Sequence, residues 1–200
     1  MARARVLACA LLICVAICAN PAAARTDASK TATVGDNSEM TAIFDADQGA
    51  RKDMAKINWN VVAAQDETRR LRTKTLLESG KLRSGNDFYH AAFVYQHGDK
   101  PTDFLLAHTF AVIAAARGRK DATWIAAATL DRYLQRIGQK QIYGTQFITP
   151  NGGSTTQEPY DRTLVSDALR AALGVPPLKD QEKQREEFEA ELKGAKTGTR

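Results

Sequence analysis

Apolar residues return every three to four positions through most of the chain, the period of an amphipathic helix, and Gly or Pro closes nearly every such stretch. The spacing predicts a first helix capped by Ser38 and running to about Met54, and a second over 60–78 stopped by Ser79 and Gly80. A third begins at Asn86 or Asp87 and ends before Gly98 and Pro101. Thr102 is read as the cap of a fourth, 103–117, and Asp121 as the cap of a fifth, 122–137. The texture then changes. Gln141 to Thr149 alternates and is rich in β-branched and aromatic residues, so it reads as extended, and 150–154 as a turn. A sixth helix covers 161–173 up to Gly174 and the Pro176-Pro177 pair. A charged helix over 179–194 follows, with a thin stripe of Gln184, Phe188 and Leu192.

The fold class expected is therefore all-α: a bundle of antiparallel αα-hairpins with tetratricopeptide-like packing but no repeating period, and one short extended segment near 141–149. The fourth stretch, from Phe104 to Ala116, is apolar around its whole circumference yet too short to span a bilayer, so it is expected at the centre of the bundle. One domain over 38–178 is expected, with 25–37 a leader lacking periodicity and 179–200 a charged helix and tail.

The amino terminus has a different character. Arg3 and Arg5 precede a 14-residue apolar run, Val6 to Ala19, and the run exits through Ala22, Ala23 and Ala24. That order is a secretory signal peptide over 1–24, cleaved near Ala24, which makes the remainder secreted or periplasmic. A lipoprotein acylated at Cys18 is the disfavoured alternative, because Ile17 stands where such signals carry a small residue. Cys9, Cys14 and Cys18 all lie in the removed segment, so the mature chain has no disulfide, thiolate nucleophile or Cys-bound metal. A net charge of +5 and a hydrophobic fraction of 44% exclude a collagenous or wholly disordered protein. The basic run Arg69 to Lys74 lacks aromatics and neighbours Asp66 and Glu67, so it reads as a solvated face and no nucleic-acid partner is expected. No transmembrane segment, phosphate loop, dinucleotide turn or nucleophile elbow is present in the pattern.

Polar residues that land on apolar faces carry the chemical signal. On a wheel of about 100° per residue, Asp47 and Arg51 fall in the middle of the face made by Met40, Ile43, Phe44 and Ala50. They are four apart with the acid first, the favoured order for a helical ion pair. In the fifth helix Asp131 sits between Ala127 and Trp124 on the buried arc, whereas Arg132 lies beside the exposed arc with Arg136. His90, His97 and His108 fall within 19 residues. Burying such groups singly costs several kcal/mol, so they are expected to satisfy one another in an internal polar cluster containing Asp47, Arg51, His97 and Asp131. Three histidines are able to hold zinc, but the break at Gly98 to Pro101 and the lack of a local ligand motif argue against it, so neither metal nor cofactor is expected.

Asp47-Gln48-x-x-Arg51, Gln96-His97, Leu130-Asp131-Arg132 and Gln141-x-Tyr143-Gly144-Thr145-Gln146, in that order, resemble an uncharacterised family of helical bacterial domains of unknown function. The resemblance covers about Phe44 to Leu178 and omits His90 and His108. It implies a helical domain and assigns no activity.

Three functions follow from the cluster. It binds a small polar ligand or a segment of a partner protein through Asp47, Gln48, Arg51, Gln96, Arg132, Gln141, Tyr143, Gly144, Thr145 and Gln146. Alternatively, His97 is a general base oriented by Asp131 in a hydrolase-like site. In the third reading the network is purely structural, Asp131 capping backbone N–H groups near Tyr143 to Thr145, and any partner uses the outer surface.

Overall fold

Side-chain caps set where the helices begin. Asn37 accepts a hydrogen bond from the Met40 amide at 2.9 Å and starts α1, Ser38–Gly49. Asn58 caps α2, Trp59–Glu78, and Ser84 with Asp87 forms a reciprocal capping box on α3, Gly85–Tyr95. Pro101 occupies the first turn of α4, Pro101–Ala116, where its missing N–H costs nothing, and the Asp103 carboxylate accepts from the Asp99 and Lys100 amides at 3.1 Å each. Then come α5, Ala122–Arg136, the short α6, Asp167–Ala172, begun by Ser166, and α7, Leu178–Thr197.

The computed structural model describes residues 35–53, 56–150 and 153–197, all within one compact unit. The expected signal peptide, its cysteines and most of the leader lie outside them. Among the described residues there are seven helices and no sheet. The all-α architecture holds, with α3, α4 and α5 as an antiparallel row, α1 against α3, and α2 against both. Alanines close the row: Ala91, Ala107, Ala111, Ala114 and Ala122 are wholly buried, which lets the helices approach closely around Phe88, Val94, Phe110 and Ile125.

Five boundaries differ from expectation. Asn37 and Ser84, not Ser38 and Asn86 or Asp87, are the caps; Lys100, not Thr102, precedes α4. α1 stops at Gly49 rather than Met54, and the Arg51 side chain turns back to donate to the Asp47 carbonyl at 3.1 Å, satisfying the open helix end. The sixth helix begins at Asp167, not Asp161. Asp161 instead accepts from the Thr163 and Leu164 amides at 3.1 and 3.2 Å, a local turn that competes with helix. The segment expected to be extended forms only isolated bridges, Gln141 with Tyr160 and Ile148 with Thr156.

The fourth helix corrects a larger expectation. α4 is buried along Phe104, Ala107, Phe110, Ala111 and Ala114, but Leu105, Leu106 and Val112 are 40–48% exposed. Among the described residues its main helix neighbours are α3 and α5, and its third side faces solvent. Trp124, placed on the buried arc of α5 by its period, is likewise 40% exposed.

Candidate functional site

Two polar assemblies emerge, side by side on α5 and joined through Thr145 and Gln146. The first is sealed. The carboxylate of Asp131, fully buried, accepts from the amides of Ile142 (2.7 Å), Tyr143 (3.0 Å) and Thr145 (3.0 Å) and from the Thr145 hydroxyl (2.8 Å). A carboxylate in such a nest of N–H donors is held by charge-assisted bonds that replace the water it lost. Gln141, also fully buried, bridges the loop by accepting from the Gln146 amide at 3.0 Å and donating to the carbonyls of Gln146 and Gln157. Gly144 adopts a φ of +82°, which strains any other residue, and a Cβ there would collide with the Gln181 side-chain oxygen and the Tyr160 hydroxyl. Tyr160, Arg170 and Gln181 complete the lock: the Tyr160 hydroxyl and the Gln181 amide both donate to the Tyr143 carbonyl, and Arg170 donates to the Tyr160 hydroxyl at 2.9 Å. Burial pushes the Tyr160 hydroxyl above its ordinary pKa, as it does that of Tyr143, to which the Asp131 charge adds.

The second assembly borders an open cleft of about 650 Å³. Its walls are the end of α1 (Arg51), α2 (Trp59, Asp66), the α3–α4 turn (Gln96, His97, Asp99), α5 (Arg132, Gln135, Arg136) and the loop from Gln146 to Ile148. Behind the wall, Asp47 is fully buried and accepts from Arg51 at 3.1 Å, Gln48 at 2.7 Å and His97 Nδ1 at 3.1 Å. Arg51 extends to Asp66, which also holds Arg69 at 2.8 Å, so two guanidiniums and two carboxylates alternate. Arg70 donates to the His97 carbonyl at 2.8 Å and to Asp99 at 3.1 Å, fixing the α3–α4 turn. Much of the basic run expected to be merely solvated is thus paired; Arg72, too, holds Glu39.

With Nδ1 on the Asp47 carboxylate, His97 has no hydrogen bond on Nε2 among the described residues and stands in the cleft wall. Arg132 is half-buried and has no carboxylate: it donates to the Gln96 carbonyl at 2.7 Å and the Gln146 side chain at 2.9 Å. Its pKa is lowered by burial first and then by the cations Arg136 and Arg51 nearby. Arg136 forms no ion pair among the described residues; it lies with Arg132 over the Phe104 ring, at 5.5 and 5.9 Å from the centroid. Gln135 contributes a buried side-chain nitrogen without a partner.

The expected cluster therefore divides. Arg51, Gln96, His97, Arg132 and Gln146 come together at the cleft. Asp47 and Gln48 stand behind it, orienting Arg51 and His97. Gln141 and Gly144 are buried, and Thr145 and the Tyr143 amide are spent on Asp131, so these four belong to the loop lock and do not line the cleft. The His97–Asp131 pairing is corrected: both Asp131 oxygens are taken by the loop, and the carboxylate on His97 is Asp47. Arg132, expected beside the exposed arc, is drawn in by Gln96 and Gln146. The three histidines do not converge. His90 stacks on Phe44 at 4.2 Å, and His108 Nδ1 lies 2.9 Å from the Ala126 carbonyl.

Sequence reasoning missed Asp66, Asp99, Gln135 and Arg136 as members of the site. Arg136 had a signal, since it stands one helical turn from Arg132. Asp66 had none beyond its neighbours. No family model, curated protein or solved structure matches the chain, so its functional reading rests on this geometry.

Proposed function

We propose that the chain is an exported binding domain that takes a small polar ligand in the cleft between α2, α5 and the Gln146–Ile148 loop. The observation that carries this is convergence: side chains from six separate segments meet at a solvent-open cavity of about 650 Å³, a volume suited to a metabolite. Export is supported by the basic start, apolar run and small-residue exit of the first 24 residues. Trp59, Phe104 and Phe147 supply apolar contact around the polar groups, the usual composition of a ligand pocket.

Thermal shift against millimolar sugars, amino acids, organic acids and nucleotides tests the reading. At least one class should raise the midpoint, and the rise should vanish in Ala63→Trp, an exposed position on the α2 wall of the cleft. If no class shifts the midpoint, or if the shift survives in Ala63→Trp, the reading fails.

The Asp47–His97 pair favours a second reading, acid–base catalysis. A carboxylate on Nδ1 fixes the ring and presents Nε2 to the cleft, the orientation a general base requires, with Asp47 in the role first given to Asp131. Among the described residues no Ser, Thr or Cys lines the cleft, so water would be the nucleophile. Slow hydrolysis of an ester or phosphoester that is lost in His97→Gln, with folding retained, would select this reading over simple binding.

A further inference from the structure

The cleft has two chemically different walls. On the α2 side and at the α3–α4 turn, every charge has an opposite: Asp66 holds Arg51 and Arg69, and Asp99 holds Arg70. On the α5 side, Arg132 and Arg136 stand one helical turn apart with no carboxylate on either among the described residues. Like charges at that spacing repel, and here the repulsion is sharpened by the burial of Arg132. Neutral acceptors and one aromatic ring are all that offset it.

We infer that Arg132 and Arg136 are the recognition pair for an anionic group, a carboxylate or phosphate, on the ligand that enters the cleft. This deepens the binding reading above and rests on it. An anion at this place removes the repulsion between the guanidiniums and accepts charge-assisted bonds from both. Gln135, between them in sequence and also in the cleft wall, has a buried side-chain nitrogen with no partner among the described residues, and a turn of its side chain brings it out as a third donor. Arg132 is already oriented by Gln96 and Gln146, so little side-chain freedom remains to be lost on binding. On the opposite side the cations Arg51, Arg69 and Arg70 are already held by carboxylates, so the anionic end of the ligand lies toward α5.

The protein carries its own reporter. Of its two tryptophans, Trp59 lines the cleft and Trp124 does not, so Trp124→Phe leaves a single emitter at the site. The Trp124→Phe protein is titrated at constant ionic strength with inorganic phosphate, with citrate, with neutral trehalose, and with chloride as the screening control. A saturable response to phosphate or citrate, absent with chloride and weakened about tenfold or more in both Arg132→Gln and Arg136→Gln, is expected; whichever anion responds identifies the group. Melting curves establish that each variant is folded, and should Arg132→Gln not fold, Arg136→Gln, at an exposed position, decides alone. A response equal to that of chloride, or undiminished by both substitutions, overturns the inference. Trehalose binding without anion binding overturns it too, yet leaves the binding reading standing, whereas silence in every arm and in the thermal-shift panel removes both.

Discussion

Four donors converge on the Asp131 carboxylate, and an Asn there turns an amide N–H₂ toward at least one of them. Asp131→Asn should cost about 2–4 kcal/mol in urea unfolding, because buried donors lose a charged acceptor. Hydrogen exchange gives the sharper reading: the amides of Ile142, Tyr143 and Thr145 should lose protection before those of α3–α5 do. His90 presents the opposite case, a buried imidazole whose Nδ1 has no partner. Burial holds its pKa below the ordinary 6.5 and Arg119 pushes the same way, against the carboxylates Asp36, Asp45 and Asp87. A folded pKa below the unfolded one means that the unfolded chain takes the proton first as the pH falls. Stability from this group is full above about pH 6.5 and declines as the pH drops toward the folded value. His90→Phe should therefore melt higher than the native chain at about pH 5.5, and the gap should narrow by about pH 7.5. A gap that is the same at both pH values would contradict this account. The stacking of His90 on Phe44 was not visible in the one-dimensional pattern. Burial of Asp131 was legible from its place among alanines; what it grips was left open between His97 and the loop, since periodicity cannot show which distant segment faces a helix.

At the scale of elements, most helices were legible because caps and glycines are local chemistry. The start of α6 was not, because Asp161 satisfies its neighbours' amides without a helix. The surroundings of α4 were not legible either. An all-apolar circumference says that a helix tolerates burial, and only the packing of α3 and α5 decides that one flank stays wet. Leu105→Gln and Val112→Gln, on that flank, should each change stability by less than about 0.5 kcal/mol. Ala111→Leu, on the wholly buried side, should cost about 1–3 kcal/mol through overpacking. Paired thermal melts decide; equal losses at the two faces would mean that the flank is covered in solution.

For the whole molecule, helix-on-helix packing unites α1–α5, while α7 joins through the irregular segment before it. Gln181 donates to the Tyr143 and Pro176 carbonyls, Arg185 donates to the Thr155 carbonyl at 3.2 Å, and Phe188 packs edge-on against Phe147 at 5.1 Å. A chain ending at Pro177 loses these ties. Limited proteolysis should then cut within 141–166 and leave α1–α5 intact; an uncut segment would show that Asp131 and Gln141 suffice to hold it.

Adjacent residues of α5 diverge by about 100°, Asp131 into the loop nest and Arg132 to the cavity, and the loop returns Gln146 to Arg132. This closes a small ring of covalent and hydrogen-bonded links around one turn of helix. A visiting molecule meets an edge already set in its final shape, so the entropy of arranging it was lost when the chain folded and is not charged again at each encounter. Loosening the ring on its hidden side should therefore be felt by the visitor as a weaker grip, although no atom it touches has been altered.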